Sequence, residues 1–164
     1  MMVNRSKQKG TAAETAVVNW LHRLGFGQAE RLALRGNLDV GDVRVRPGIH
    51  LEVKAGAAAA HPSQGQVVKW RDEATVEGVN GGVDCYLVTK RKGSADPGTW
   101  LVHLTLRELS ELLTTSQGYA RTWIEEPAVI TLSSLVMLTT AQLHRPIHPS
   151  RVAGKNKKDG ASSE

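Results

Sequence analysis

Residues 36–55, GNLDVGDVRVRPGIHLEVKA, place Asp39, Asp42, Glu52 and Lys54 in what otherwise reads as two short strands around Pro47-Gly48. Acids and lysine are poor strand formers, so chemistry is a better reason for them than folding. Side chains alternate along a strand, which sets Leu51 and Val53 on one face and His50, Glu52 and Lys54 on the other. In DVRVR, Val43 and Val45 oppose Asp42, Arg44 and Arg46. If the hairpin pairs its apolar faces, Asp42 and Glu52 share a side, within reach of one ion. Carboxylates that close repel each other unless a cation lies between them. Hard oxygen ligands at a partly open site suit Mg²⁺, and Lys54 beside them could stabilise charge developing on a phosphate oxygen. The plain alternative is the wet face of a two-layer sheet, with Glu52 and Lys54 in a surface ion pair.

These residues need a scaffold. GTAAETAVVNWLHRLGFG predicts a helix with Ala13, Val17, Leu21 and Leu24 on one face. Thr11 suits its N-cap, Glu14 completes a capping box, and Gly25 or Gly27 ends it. QAERLALRG predicts a first strand; DVRVR and IHLEVKA follow as the hairpin. AGAAAAHPSQG reads as a small-residue linker. A second helix, SQGQVVKWRDEATVEG, places Val67, Trp70 and Ala74 on one stripe, with Trp70 expected in the core. VDCYLVTKRKG and TWLVHL predict two more strands, with Cys85 mid-strand as a small buried hydrophobe. Thr105 and Glu108 repeat the capping-box pattern before LRELSELL. After Trp123 a strand or loop precedes a helix from Thr131. The order is an α/β or α+β layer arrangement: one domain over 1–145, then a basic tail, 146–164, whose polar, Pro- and Gly-containing composition predicts disorder.

The length of 164 residues is enough for one real core, and at 4% aromatic content that core must be mainly Val, Leu, Ile and Ala. No apolar run reaches the roughly 18 residues of a membrane helix. The opening MMVNRSKQKG lacks an apolar signal region, and Cys85 is alone. A reduced, cytoplasmic protein with no membrane partner is expected. The net charge of +5 points toward a polyanion, nucleic acid being the usual one. Basic residues gather at Arg5, Lys7 and Lys9 and at Arg145, Arg151, Lys155, Lys157 and Lys158, although basic tails also serve solubility.

The spacing of Gly41-Asp42-Val43 and, ten residues after Asp42, Glu52-Val53-Lys54 resembles the PD-(D/E)XK nuclease signature, with Gly41 where the family has proline. KGTAAE resembles the first helix of archaeal-type Holliday junction resolvases. KGTAAET, GNLDVGDV, LEVK, KWRDEA, VTKRKG and TWLVHL resemble, in that order, resolvase-type nucleases of actinobacterial phages, over about residues 4–115. The resemblance implies a restriction-endonuclease-like core: a mixed central sheet flanked by helices in α-β-β-β-α-β-β order. It implies Glu14, Asp42 and Glu52 as ligands of Mg²⁺ (Mn²⁺ substituting), with the Val53 carbonyl joining them. Lys54 would be catalytic, and Asp39 would lie in the surrounding shell.

Lys90, Arg91 and Lys92 match a basic segment of the same nucleases and become candidate DNA contacts, together with Arg5, Lys7 and Lys9. Gln64 and Gln66 lie where some members of this superfamily carry an active-site glutamine, Gln66 being the choice for the surrounding shell. His50 shares the face of Glu52 as a bystander. Pro146 breaks any helix that would align His144 with His148. The implied activity is metal-dependent hydrolysis of DNA by paired nicks at four-way junctions. The implied enzyme is a homodimer, in the cytoplasm of a bacterial host if phage-encoded. The alternatives are an exonuclease, restriction-like or flap nuclease on the same scaffold, or a non-catalytic nucleic-acid binder.

Overall fold

The computed structural model describes residues 5–33, 38–113 and 127–143. Helix α1 spans Arg5–Arg23 and buries Ala13, Val17, Trp20 and Leu21. It begins six residues before Thr11, so the expected N-cap is wrong. Thr11 lies inside the helix, where its carbonyl accepts a bond from Thr15 Oγ1 at 2.8 Å. Glu14 is therefore a mid-helix residue and not a cap.

The first strand is also shorter than expected: β1 is Glu30–Arg31. The hairpin is β2, Val43–Arg46, and β3, Ile49–Lys54, with Val43 opposite Leu51 and Arg44 opposite His50. The expected linker contains a short helix, α2, Ala57–Ala60. Ser63 then caps α3, Gln64–Gly81, its Oγ accepting the Gln66 N–H at 3.2 Å, and Gly82 closes it in the left-handed conformation. Helix α3 carries the chain over to β4, Asp84–Thr89, which runs parallel to β3. The 3-10 turn Pro97–Thr99 leads to β5, Leu101–Thr105; α4 is Leu106–Leu113, β6 Pro127–Thr131 and α5 Leu132–Leu143.

The six strands form one mixed sheet in sequential order, antiparallel except for β3·β4. It is flanked by helices, as the α/β pattern predicted, with α4, β6 and α5 continuing past the expected core order. The second Thr-x-x-Glu is a true capping box. Thr105 Oγ1 accepts the Glu108 N–H at 3.0 Å, and Glu108 Oε2 accepts the Thr105 N–H at 2.6 Å. The helix expected from Thr131 starts at Leu132, with Thr131 Oγ1 accepting the Ser134 N–H.

One dry core joins Val17, Leu21, Val43, Leu51, Val53, Val88, Trp100, Val102, Leu104, Leu132 and Leu135. Arg46 Nη2 donates to the Thr139 carbonyl at 2.7 Å and ties the hairpin to α5. Trp70 is half-buried and outside this core; Trp100 is fully buried. Helix α3 instead sinks onto β4 through Ala74, Glu77 and Gly78. A side chain at Gly78 would place a Cβ 2.9 Å from the Val83 carbonyl oxygen, so only glycine permits this approach.

Candidate metal and phosphate site

The face of β3 that carries His50, Glu52 and Lys54 is not wet. Helix α3 covers it, and Glu52 is 6% exposed. Asp42 immediately precedes β2 but already sits on the ladder: its N–H donates to the Leu51 carbonyl at 2.9 Å, and its own carbonyl accepts the Leu32 N–H. That pairing turns its side chain toward β3, where Oδ2 accepts the Val53 N–H at 2.8 Å. Gly41 makes the entry possible. Its φ of +97° is closed to proline, and a Cβ there would lie 3.1 Å from Cys85 Sγ.

Asp42 and Glu52 confront each other. Burial pushes the Asp42 carboxyl up to about 8, the charge of Glu52 adds to that, the Val53 N–H opposes it, and the charge of Glu14 adds further. Burial raises Glu52 to about 7 against the pull of Lys54. Lys54 Nζ lies 2.5 Å from Glu52 Oε1 and 3.2 Å from Glu73 Oε2. Burial alone would lower the lysine, but bonds to these two carboxylates outweigh it and leave it raised.

Glu73 and Glu77 of α3 were missed from sequence. Glu77 is 7% exposed, and Cys85 Sγ lies 3.8 Å from its Oε2. Burial raises Glu77, a bond shared with Glu52 opposes this, and the charge of Asp39 adds to the rise. Cys85 is half-buried rather than buried as expected, and burial, then the charges of Glu77 and Glu52, push its thiol up. A signal was present: Glu77 falls between Ala74 and Gly78, small residues that mark the stripe able to approach a sheet.

The other expected residues divide. Glu14 stands close enough to add to the rise of Asp42, but its Oε2 is held by Arg31 Nη2 at 2.6 Å. Asp39 is exposed and shapes the approach to Asp42, its Oδ1 accepting the Gly41 N–H and its carbonyl the Asn80 amide. Gln66 lies two helical turns before Glu73 on the same side of α3. His50 is buried with Nδ1 2.7 Å from the Val40 carbonyl, the bystander position expected. Lys90 is half-buried with Nζ 5.2 Å from the Trp100 ring centroid, a cation–π contact that draws it back from solvent. Arg91 and Lys92 are exposed, and the Lys90 N–H donates to the Lys54 carbonyl, so this basic turn leaves the sheet beside Lys54. Arg5 and Lys7 open α1, their side chains outside the described residues; Lys9 is exposed. The tail, 146–164, and the pair His144 and His148 lie outside the described residues.

Among the described residues no group of three or more His, Cys, Asp and Glu side chains is arranged to hold a metal ion. What the site offers is two carboxylates in contact, Glu52 buried and Asp42 half-buried, both raised by burial and Asp42 further by Glu52, with the Val53 backbone alongside. A divalent cation would neutralise both, so the donor chemistry fits Mg²⁺ or Mn²⁺. No helix among the described residues is long and apolar enough to cross a membrane. No family model, curated protein or solved structure matches the chain.

Proposed function

We propose that this protein is a Mg²⁺-dependent endonuclease that hydrolyses DNA phosphodiesters on a restriction-endonuclease-like core, its preferred substrate being the four-way junction. The observation that carries the hydrolytic part is the meeting of Asp42, Glu52 and Lys54 beneath α3. Asp42 and Glu52 would hold the cation, with the Val53 carbonyl beside them, and Glu14, whose Oε2 is held by Arg31, would join through Oε1. When bound, the cation supplies Lewis-acid stabilisation of charge at phosphorus. Lys54 presents a raised, protonated ammonium where the pentavalent phosphate would gain charge. Arg91 and Lys92 follow Lys90, whose N–H bonds the Lys54 carbonyl, and would steer the phosphate backbone toward the site. A binder without catalytic activity has no use for buried acids facing phosphate, which favours the enzyme over the binding module.

Junction preference rests on the resemblance of the six ordered segments, not on the acids. A junction is two-fold symmetric, so the reading includes a homodimer with one site per protomer. The test is cleavage mapping on an immobile junction labelled on each strand in turn, against linear duplex, flap and single strand. The expected result is paired symmetric nicks, leaving 5′-phosphates that a ligase seals, with linear duplex cut far more slowly. Equal rates on junction and duplex, or shortening from ends, replace the resolvase reading with a general nuclease. No metal-dependent cleavage of any substrate defeats both.

A further inference from the structure

Lys54 is the last residue of β3, and its ammonium sits at the end of a flexible four-carbon stem. Such a compact charge has no planar fork to fix it and takes its place from whatever carboxylates surround it. Two do so here, from different elements. Glu52, two residues before it on the same strand, lies 2.5 Å away, and Glu73 of α3 lies 3.2 Å away. The two have different fates once a divalent cation is present. With the cation held by Glu52, the charge of that carboxylate would be shared with it and its hold on Lys54 would weaken. Glu73 reaches the ammonium from a different element, a helix whose seat is fixed by Ala74, Glu77 and Gly78. As an ion pair the contact adds little to stability, since the Glu73 side chain is 39% exposed. Its consequence is geometric.

We propose that Glu73 is a positioning residue: it holds the Lys54 ammonium in place when the cation occupies Glu52. This rests on the nuclease reading for its catalytic consequence, but not for the geometry.

The experiment is a double-mutant cycle of Glu73→Gln and Lys54→Met, followed by single-turnover cleavage of DNA in Mg²⁺. Lysine side-chain NMR is run alongside on the same proteins, with the Lys54 signal identified by its loss in Lys54→Met. Glu73→Gln alone should slow cleavage by roughly 10-fold, the scale of an outer-shell partner, with DNA affinity measured in Ca²⁺ unchanged. In the Lys54→Met background the same substitution should change the rate by less than about twofold, because the group it positions is gone. An equal loss in both backgrounds, or no loss in the first, overturns the proposal. The NMR arm needs no activity. With Mg²⁺ the Lys54 side chain should stay ordered in the parent protein and become as mobile as a surface lysine in Glu73→Gln; unchanged order overturns the proposal. A parent protein that cuts nothing refutes the nuclease reading, and the NMR comparison alone then decides whether Glu73 holds Lys54.

Discussion

The two faces of β3 are equally buried and chemically opposite. Leu51 and Val53, 0% and 4% exposed, join the aliphatic core under α1; His50 and Glu52, 8% and 6% exposed, lie under α3 with Glu77. On the first face burial is favourable and grows with the apolar area removed from water. On the second, burial costs free energy, because a carboxylate loses hydration and meets other carboxylates. The raised Asp42, Glu52 and Glu77 express that cost. One strand thus holds the fold together with its odd positions and strains it with its even ones. Violations of local folding rules concentrate at working sites, and here the acids gather where β3, the residue before β2 and helix α3 meet.

The sharpest way to separate the faces is to neutralise the acids. Asp42→Asn or Glu52→Gln should lower Mg²⁺-dependent cleavage by at least roughly 10³-fold, several kcal/mol of lost charge stabilisation. Each should leave the chain folded, because the substitution replaces a carboxyl already raised by burial with an uncharged group of the same volume. Single-turnover rates beside circular dichroism check this, and near-parental cleavage by either purified variant would break the assignment.

The opposite face should respond in the opposite way. Leu51→Ala leaves a cavity in a dry core and should cost about 2–5 kcal/mol, lowering Tm by roughly 5–15 °C. Assayed well below its melting temperature, the variant should still cleave within about threefold of the parent. A collapse of the chemical step at an undisturbed Tm would mean that the two faces are not the separate systems described here.

How far sequence carried this division is clearest in the two Thr-x-x-Glu segments. At Thr105–Glu108 the pattern is a complete capping box. At Thr11–Glu14 the same spacing lies inside a helix that began at Arg5. The difference is upstream. Leu104 and the strand β5 end helix growth before Thr105, whereas RSKQK is rich in good helix formers and lacks only an apolar stripe to announce itself. The hairpin was legible because Pro47-Gly48 and strict alternation fix both turn and faces, and Asp42, Glu52 and Lys54 came with it. What covered them was not legible. Val67, Trp70 and Ala74 read as the inward stripe of α3, yet of the three only Ala74 is buried, and Gly78 continues that side with Glu73 and Glu77 beside it. Periodicity marks apolar faces; it is blind to a face buried through small and charged residues.

The smallest predicted effect is a change of slope with pH in the absence of divalent ions. A carboxyl raised from 3.8 to about 8 in the native state is still protonated there while its unfolded counterpart is ionised. Between those values the native state binds more protons than the unfolded state, so stability falls as pH rises through the window. The favourable contribution is complete below about pH 4 and is gone above about pH 8. Glu52, raised from 4.5 to about 7, acts in the same direction. Histidines also titrate in this range, so the informative quantity is the difference between two proteins. In EDTA, the Tm of the parent relative to Asp42→Asn should fall between pH 5 and pH 8. Adding Mg²⁺ at pH 8 should recover most of the difference in the parent, because the cation replaces the protons that held the pair together, and should do less in Asp42→Asn. Parallel slopes for the two proteins in EDTA would show that Asp42 is not buried against Glu52. A Mg²⁺ shift equal in both would show that the cation binds elsewhere.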